Sequence, residues 1–147
     1  MEPLEELAAC QRIKDVKARY CRYLDTKNWE SFAALFTPDA ILDVSEDTGT
    51  APYQGRGAIV RAVLHAVQHA KTAHHVHSPE IIFDGPDGAD VVWAMQDRVI
   101  WETGKSPVPG ASALTGYGHY HEHYVREGEV WFIASLKLTR LMSEFQP

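Results

Sequence analysis

Six of the eight histidines fall in two clusters, His74, His75 and His77 in one and His119, His121 and His123 in the other. Imidazole titrates nearest neutral pH and is also the commonest metal ligand, so the clusters point to proton transfer or to a metal. Side chains alternate along a strand, so His119, His121 and His123 would share a face with Tyr117, opposite Gly116, Gly118, Tyr120, Glu122 and Tyr124. Three histidines in a row suit a metal, a polar outer surface or a subunit contact. In the preceding strand-like run, Val91, Trp93, Met95, Val99 and Trp101 form an apolar face that Asp97 interrupts. A buried carboxylate is costly without a partner, so Asp97 must meet a donor, such as a histidine on a neighbouring strand, or carry a raised pKa.

Other chemistries find less support. No ligand glutamate stands at a suitable spacing after His119-x-His121, so no metal is expected. No G-x-S-x-G elbow is present, and Cys10 and Cys21 lie on one helix, too distant for a disulfide. Gly55-Arg56-Gly57 lacks the remaining glycines and the strand-before-helix context of a dinucleotide fingerprint, so no organic cofactor is expected. The net charge of −6 argues against nucleic acid, and the basic residues Arg12, Lys14, Lys17, Arg19 and Arg22 read as the solvated face of a helix. An acidic N-terminus with no apolar leader, and no stretch of membrane-spanning length, predict a soluble cytoplasmic protein that does not engage membranes.

The elements that must position these residues follow from periodicity. Pro3, Glu5 and Glu6 resemble a helix start, and Ile13, Val16, Tyr20 and Leu24 continue an apolar stripe to a helix end near Asp25. Asn28 opens a short amphipathic segment with Trp29, Phe32, Ala33 and Phe36, which Thr37-Pro38-Asp39 ends before a strand at residues 41–44. A polar loop and a helix over 57–70 come next. Four extended segments follow, over 72–83, 89–103, 114–126 and 129–141, with glycine turns at 84–88 and 127–128. The connection over 104–112 is long and proline-bearing, as expected of a mobile segment or a pocket cover. Helices first and long antiparallel strands afterwards predict one α+β domain over 1–147, its N-terminal helices packed on a curved, mostly antiparallel sheet with a cone-shaped ligand cavity between.

Several stretches carry a family resemblance. Tyr20, Tyr23, Asp25, Trp29, Phe32, Leu35, Phe36, Asp39 and Ala40, then Thr72-Ala73-His74, then residues 128–136 together resemble the SnoaL-like branch of the nuclear transport factor 2 superfamily. The likeness spans nearly the whole chain. It implies a cone-shaped α+β barrel, a scaffold that carries dehydratases, isomerases, cyclases, dehydrochlorinases and non-catalytic domains. In its dehydratases and dehydrochlorinases, the resemblance implies a base at His74, an orienting aspartate at Asp25, a tyrosine nearest to Tyr23, a second aspartate at Asp97 and a second histidine at His119. His121 and His123 remain alternatives to His119.

Two physical points bear on this assignment. Tyr23 and Asp25 lie about 200° apart around a helix, so both enter one pocket only if the helix ends or distorts between them. Ile81 and Phe83 share strand parity with His75 and His77, which favours His75 over His74 unless Ser78-Pro79 forms a bulge.

The sequence reading is therefore a cofactor-independent, dehydratase-like lyase or isomerase that removes a proton from a small, mostly apolar, cyclic substrate. His74 would be the base, Asp25 its orienter, and Tyr23 and His119 the donors. Asp97 would orient or hold the substrate, with Trp93, Met95, Phe36 and Tyr53 as apolar wall. The partner expected is a small-molecule substrate, in a homodimer with a trimer as the alternative. The rival is a non-catalytic small-molecule-binding or oligomerisation domain, in which Asp25 and His74 need not meet. A metalloprotein using His119 and His121 is the third reading.

Overall fold

The computed structural model describes all 147 residues. Helix α1 (Pro3–Asp25) begins at a capping box in which the Glu5 carboxylate accepts from the Glu2 backbone at 3.1 Å, with Pro3 preset for the first turn. Its buried stripe is Ala9, Ile13, Val16, Lys17, Tyr20, Cys21 and Leu24. At Lys27 the backbone turns left-handed (φ 58°), and Asn28 caps the short α2 (Trp29–Ala33) by accepting from Ser31 N.

Strand β1 (Phe36–Asp43) starts earlier than periodicity suggests. Phe36 was expected in the amphipathic segment, but α2 stops at Ala33, and Ile133 N donates to Leu35 O at 2.9 Å as the chain enters a parallel pairing with the last strand. Pro38, which cannot donate to a ladder, sits where the register shifts between Phe36 and Ile41. The polar loop contains a four-residue helix, α3 (Ser45–Thr48), and a two-residue strand, β2 (Tyr53–Gln54), before α4 (Arg56–Val67).

Four long strands complete the chain: β3 (Ala70–Phe83), β4 (Gly88–Trp101), β5 (Ala113–Glu127) and β6 (Val130–Gln146). The sheet order is β2-β1-β6-β5-β4-β3, antiparallel except for β1 with β6, so this is the expected α+β architecture, with β2 and β3 as free edges. Gly85 and Gly128 supply the left-handed turns of the two hairpins.

Register decides which side chains meet the helices. His74, Asp97 and Gly116 are direct cross-strand partners, and the next row holds Val76, Met95 and Gly118. Ser78 adopts φ 48° and the register shifts between His77 and Glu80, so the bulge that the sequence required does form. That bulge reverses the parity. His74 and Ile81 lie on the same covered face, whereas His75 and His77 are exposed on the other.

The basic run on α1 is not all solvated. Lys17 lies one turn from Ile13 and Tyr20 on the buried stripe, and its ammonium is fully buried, donating to the equally buried Glu122 of β5 at 2.5 Å. The Tyr20 and Tyr120 rings flank it at 3.6 and 3.9 Å, and the Tyr124 hydroxyl satisfies the other Glu122 oxygen at 2.6 Å. Burial, and then the negative charge of Glu122, push the Tyr124 phenol well above its ordinary pKa, so it remains a donor. Removing two charges from water is offset only by such complete pairing.

Candidate active site

The end of α1 is fastened to the start of β3. Lys27 Nζ donates to Ala70 O at 2.5 Å, which brings Asp25, the last residue of the helix, against the first turns of that strand. Because β3 is an edge, its outward N–H groups are not taken by another strand. The Asp25 carboxylate collects one of them, accepting from His74 N at 2.9 Å through Oδ2. Its Oδ1 accepts from the Thr72 hydroxyl at 2.8 Å and from His74 Nδ1 at 2.7 Å. The His74 side chain is 8% exposed and that of Asp25 22%.

These contacts set the protonation pattern. Burial pushes the Asp25 carboxyl up, but the bonds from the His74 ring and backbone and from Thr72, together with the positive charge of a protonated His74, outweigh it and hold the pKa below the ordinary value. An ionised Asp25 only accepts, so Nδ1 of His74 carries a hydrogen, and in the neutral form of the ring the lone pair lies on Nε2, which bonds to no protein group.

Beside His74, Asp97 meets a donor, though not a histidine. Arg140 of β6 donates to it through Nη1 at 2.6 Å and Nη2 at 3.0 Å, and the same guanidinium donates to Asp47 of α3 through Nε at 3.0 Å and Nη2 at 2.9 Å. Burial lowers the Arg140 pKa, but its bonds and charge pairing with the two aspartates more than reverse this and raise it above the ordinary value. Gly116 makes the arrangement possible: a Cβ there would lie 2.1 Å from Arg140 Nη1 and 2.5 Å from Asp97 Oδ1. Arg140 lies 43 positions from Asp97 and 93 from Asp47, so no local sequence pattern points to either partner. Thr72 was seen only as part of a motif.

Other candidates are placed differently. Tyr23 makes no hydrogen bond to the Asp25–His74 pair; it packs partly buried against the core, with the Arg22 guanidinium 4.7 Å from its ring centroid. The helix runs unbroken to Asp25, so the angular separation persists. His119 pairs with Ala94 and Thr139 on the sheet face opposite His74, so the structure does not bring the two together. His121 Nε2 lies 2.9 Å from Thr139 Oγ1, His123 Nδ1 lies 2.7 Å from Asp90, and no three such donors converge to hold a metal. Trp93 and Met95 are buried on the face of Asp97. Phe36 is fully buried among Tyr20 and Phe32, and Tyr53 is half-buried on the short β2. Clefts of about 310 and 250 Å3 open elsewhere, one under the β4–β5 connection at Trp101 and Val108, the other between α1 and Trp131. No helix is long and apolar enough to cross a membrane.

Residues 5–137 match the SnoaL-like domain family. The chain belongs to that family. This SnoaL-like protein is 28% identical over 137 residues to the probable cyclase FGR4 of Gibberella zeae, covering 88% of this chain and 89% of the relative. Solved structures share its fold. A candidate scytalone dehydratase of Novosphingobium aromaticivorans superposes with a TM-score of 0.84 at 20% identity, covering 99% of this chain and 93% of its own. The hexachlorocyclohexane dehydrochlorinase LinA-type3 of Novosphingobium barchaimii gives 0.79 at 17% identity, covering 99% and 94%.

Proposed function

We propose that this SnoaL-like protein is a lyase or isomerase that needs no cofactor and uses His74 as a general base on a small, mostly apolar, cyclic substrate. The observation that carries the reading is the 2.7 Å contact between His74 Nδ1 and Asp25, which leaves Nε2 unengaged. A carboxylate on one ring nitrogen fixes the tautomer and stabilises the imidazolium as the other nitrogen takes a proton. Trp93 and Met95, on the covered face, would supply apolar wall beside the polar row of His74 and Asp97. Family membership supports the reaction class, since its relatives carry the names of a cyclase, a dehydratase and a dehydrochlorinase. A domain that only bound small molecules would have no need of a carboxylate holding one histidine tautomer.

The test is turnover in a screen of cyclic hydroxy-ketones. His74→Gln is expected to abolish it with the circular dichroism spectrum unchanged, and His75→Gln to leave it intact. Wild-type turnover in the His74 variant would overturn the assignment.

A further inference from the structure

Strand β6 outruns the strand beside it. Its parallel pairing with β1 ends at Lys137, whereas its pairing with β5 continues to Gln146, so the last stretch has a strand on one side only. Glu46 takes the N–H of Arg140 at 3.2 Å, and every residue from Leu141 onward is exposed. Leu141, Met142 and Phe145 are 68%, 55% and 52% exposed, which concentrates bare apolar side chains on an open edge. Such an edge is a template for another strand. The edge of β3 is guarded by contrast: the end of α1 takes Ala70 O and His74 N, and the Ser78-Pro79 bulge interrupts the run further on. The other edge strand, β2, is only two residues long. The stretch Leu141–Gln146 has no proline and no lysine, and its one charge is Glu144.

The direction of the backbone groups fixes which pairing is open to this edge. Gln146 O accepts from Ser112 N at 2.7 Å, so the backbone of Gln146 faces β5. Alternation turns the N–H and C=O of Glu144 and Met142 the same way, and those of Phe145, Ser143 and Leu141 outward. An antiparallel copy related by a two-fold axis at Ser143 sets Ser143 against itself and Leu141 against Phe145 of the partner subunit. Each outward residue then falls in a pair that exchanges both of its N–H···O bonds. The register also brings apolar side chains together and sets Glu144 opposite the partner's Met142. Neighbouring registers fail. An axis at Glu144 confronts two carboxylates, and one at Met142 drives the second strand into α3, where Glu46 and Asp47 already hold Arg140.

We propose that the edge over residues 141–146 pairs with the same edge of a second copy, so that two sheets join through β6 into one. The spacing of Leu141 and Phe145 about Ser143 selects a second copy as the occupant, because only an identical strand meets both apolar residues at once in that register. A contact of this length is smaller than a standard interface, so the dimer is weak and concentration-dependent. It does not depend on His74 being a base.

Sedimentation velocity over a range of protein concentrations should show a monomer–dimer equilibrium in the wild type. Ser143→Pro removes the outward N–H at the axis without touching the ladder to β5, and Phe145→Lys sets an ammonium in both apolar pairs while leaving the backbone as it is. Each should raise the dissociation constant at least about tenfold with the circular dichroism spectrum unchanged. Amide exchange followed by NMR gives the register: Ser143 and Phe145 should slow as concentration rises, whereas Glu144, already bonded to β5, should not change. A wild type that stays monomeric at every concentration would overturn the proposal. So would a dimer that survives both variants, or one whose concentration-dependent protection falls on residues 119–123 of the open face instead.

Discussion

Along β5, Gly116, Gly118, Tyr120, Glu122 and Tyr124 turn toward the helices, and Tyr117, His119, His121 and His123 turn away. On the covered side the charged groups are paired: Lys17 with Glu122, Asp97 with Arg140 and, at the edge strand, Asp25 with His74. On the open side His123 and Asp90 also meet at 2.7 Å, but their side chains are 35% and 71% exposed, where water and salt screen the pair. The same residue types at similar distances thus differ in consequence. Low dielectric makes a contact directional and costly to break, and hydration makes it dispensable.

The sharpest break in this comparison is between adjacent histidines. His74→Gln should lower turnover by at least about 10²–10⁴-fold, the usual contribution of a general base, while His75→Gln stays near wild type in the same steady-state assay.

Stability separates the faces next. Lys17→Met leaves Glu122 buried without its counter-charge and should cost about 3–5 kcal/mol in urea unfolding, whereas His119→Ala on the open face should stay within about 0.5 kcal/mol. Equal effects would mean that the buried pair does not hold α1 to the sheet.

A smaller effect concerns acid. Asp25 has a folded pKa below its ordinary value, so its contribution to stability is complete above the unfolded carboxyl pKa of about 3.9 and is lost as pH falls through the lower folded value. Asp25→Asn should therefore be less stable than wild type at neutral pH and lose less stability between about pH 4 and pH 2, as followed by denaturant titrations. The smallest effect is expected for Asp90→Asn, within about 0.5 kcal/mol of wild type, because its partner histidine is hydrated on the open face.

The element order, the hairpin turns and the two faces of β4 and β5 were legible in the chain, because periodicity and glycine placement act locally. So was the alternation that set Asp97 on an apolar face. Three matters were not. Lys17 reads as one more basic residue on a charged helix until Glu122 supplies the counter-ion from 105 positions away. Phe36 reads as helical until β6 offers it a parallel partner. The choice between His74 and His75 stood open, since it depended on whether Ser78-Pro79 bulged.

What the sequence determined by itself is the set of local propensities: amphipathic helices first, alternating strands afterwards, and histidines at fixed spacings. Only the tertiary structure decided which of those histidines faces Asp25, which cation fills the space beside Gly116, and which lysine leaves water. Each of those outcomes depends on groups far apart in the chain meeting in a low-dielectric interior, and no local pattern encodes that meeting.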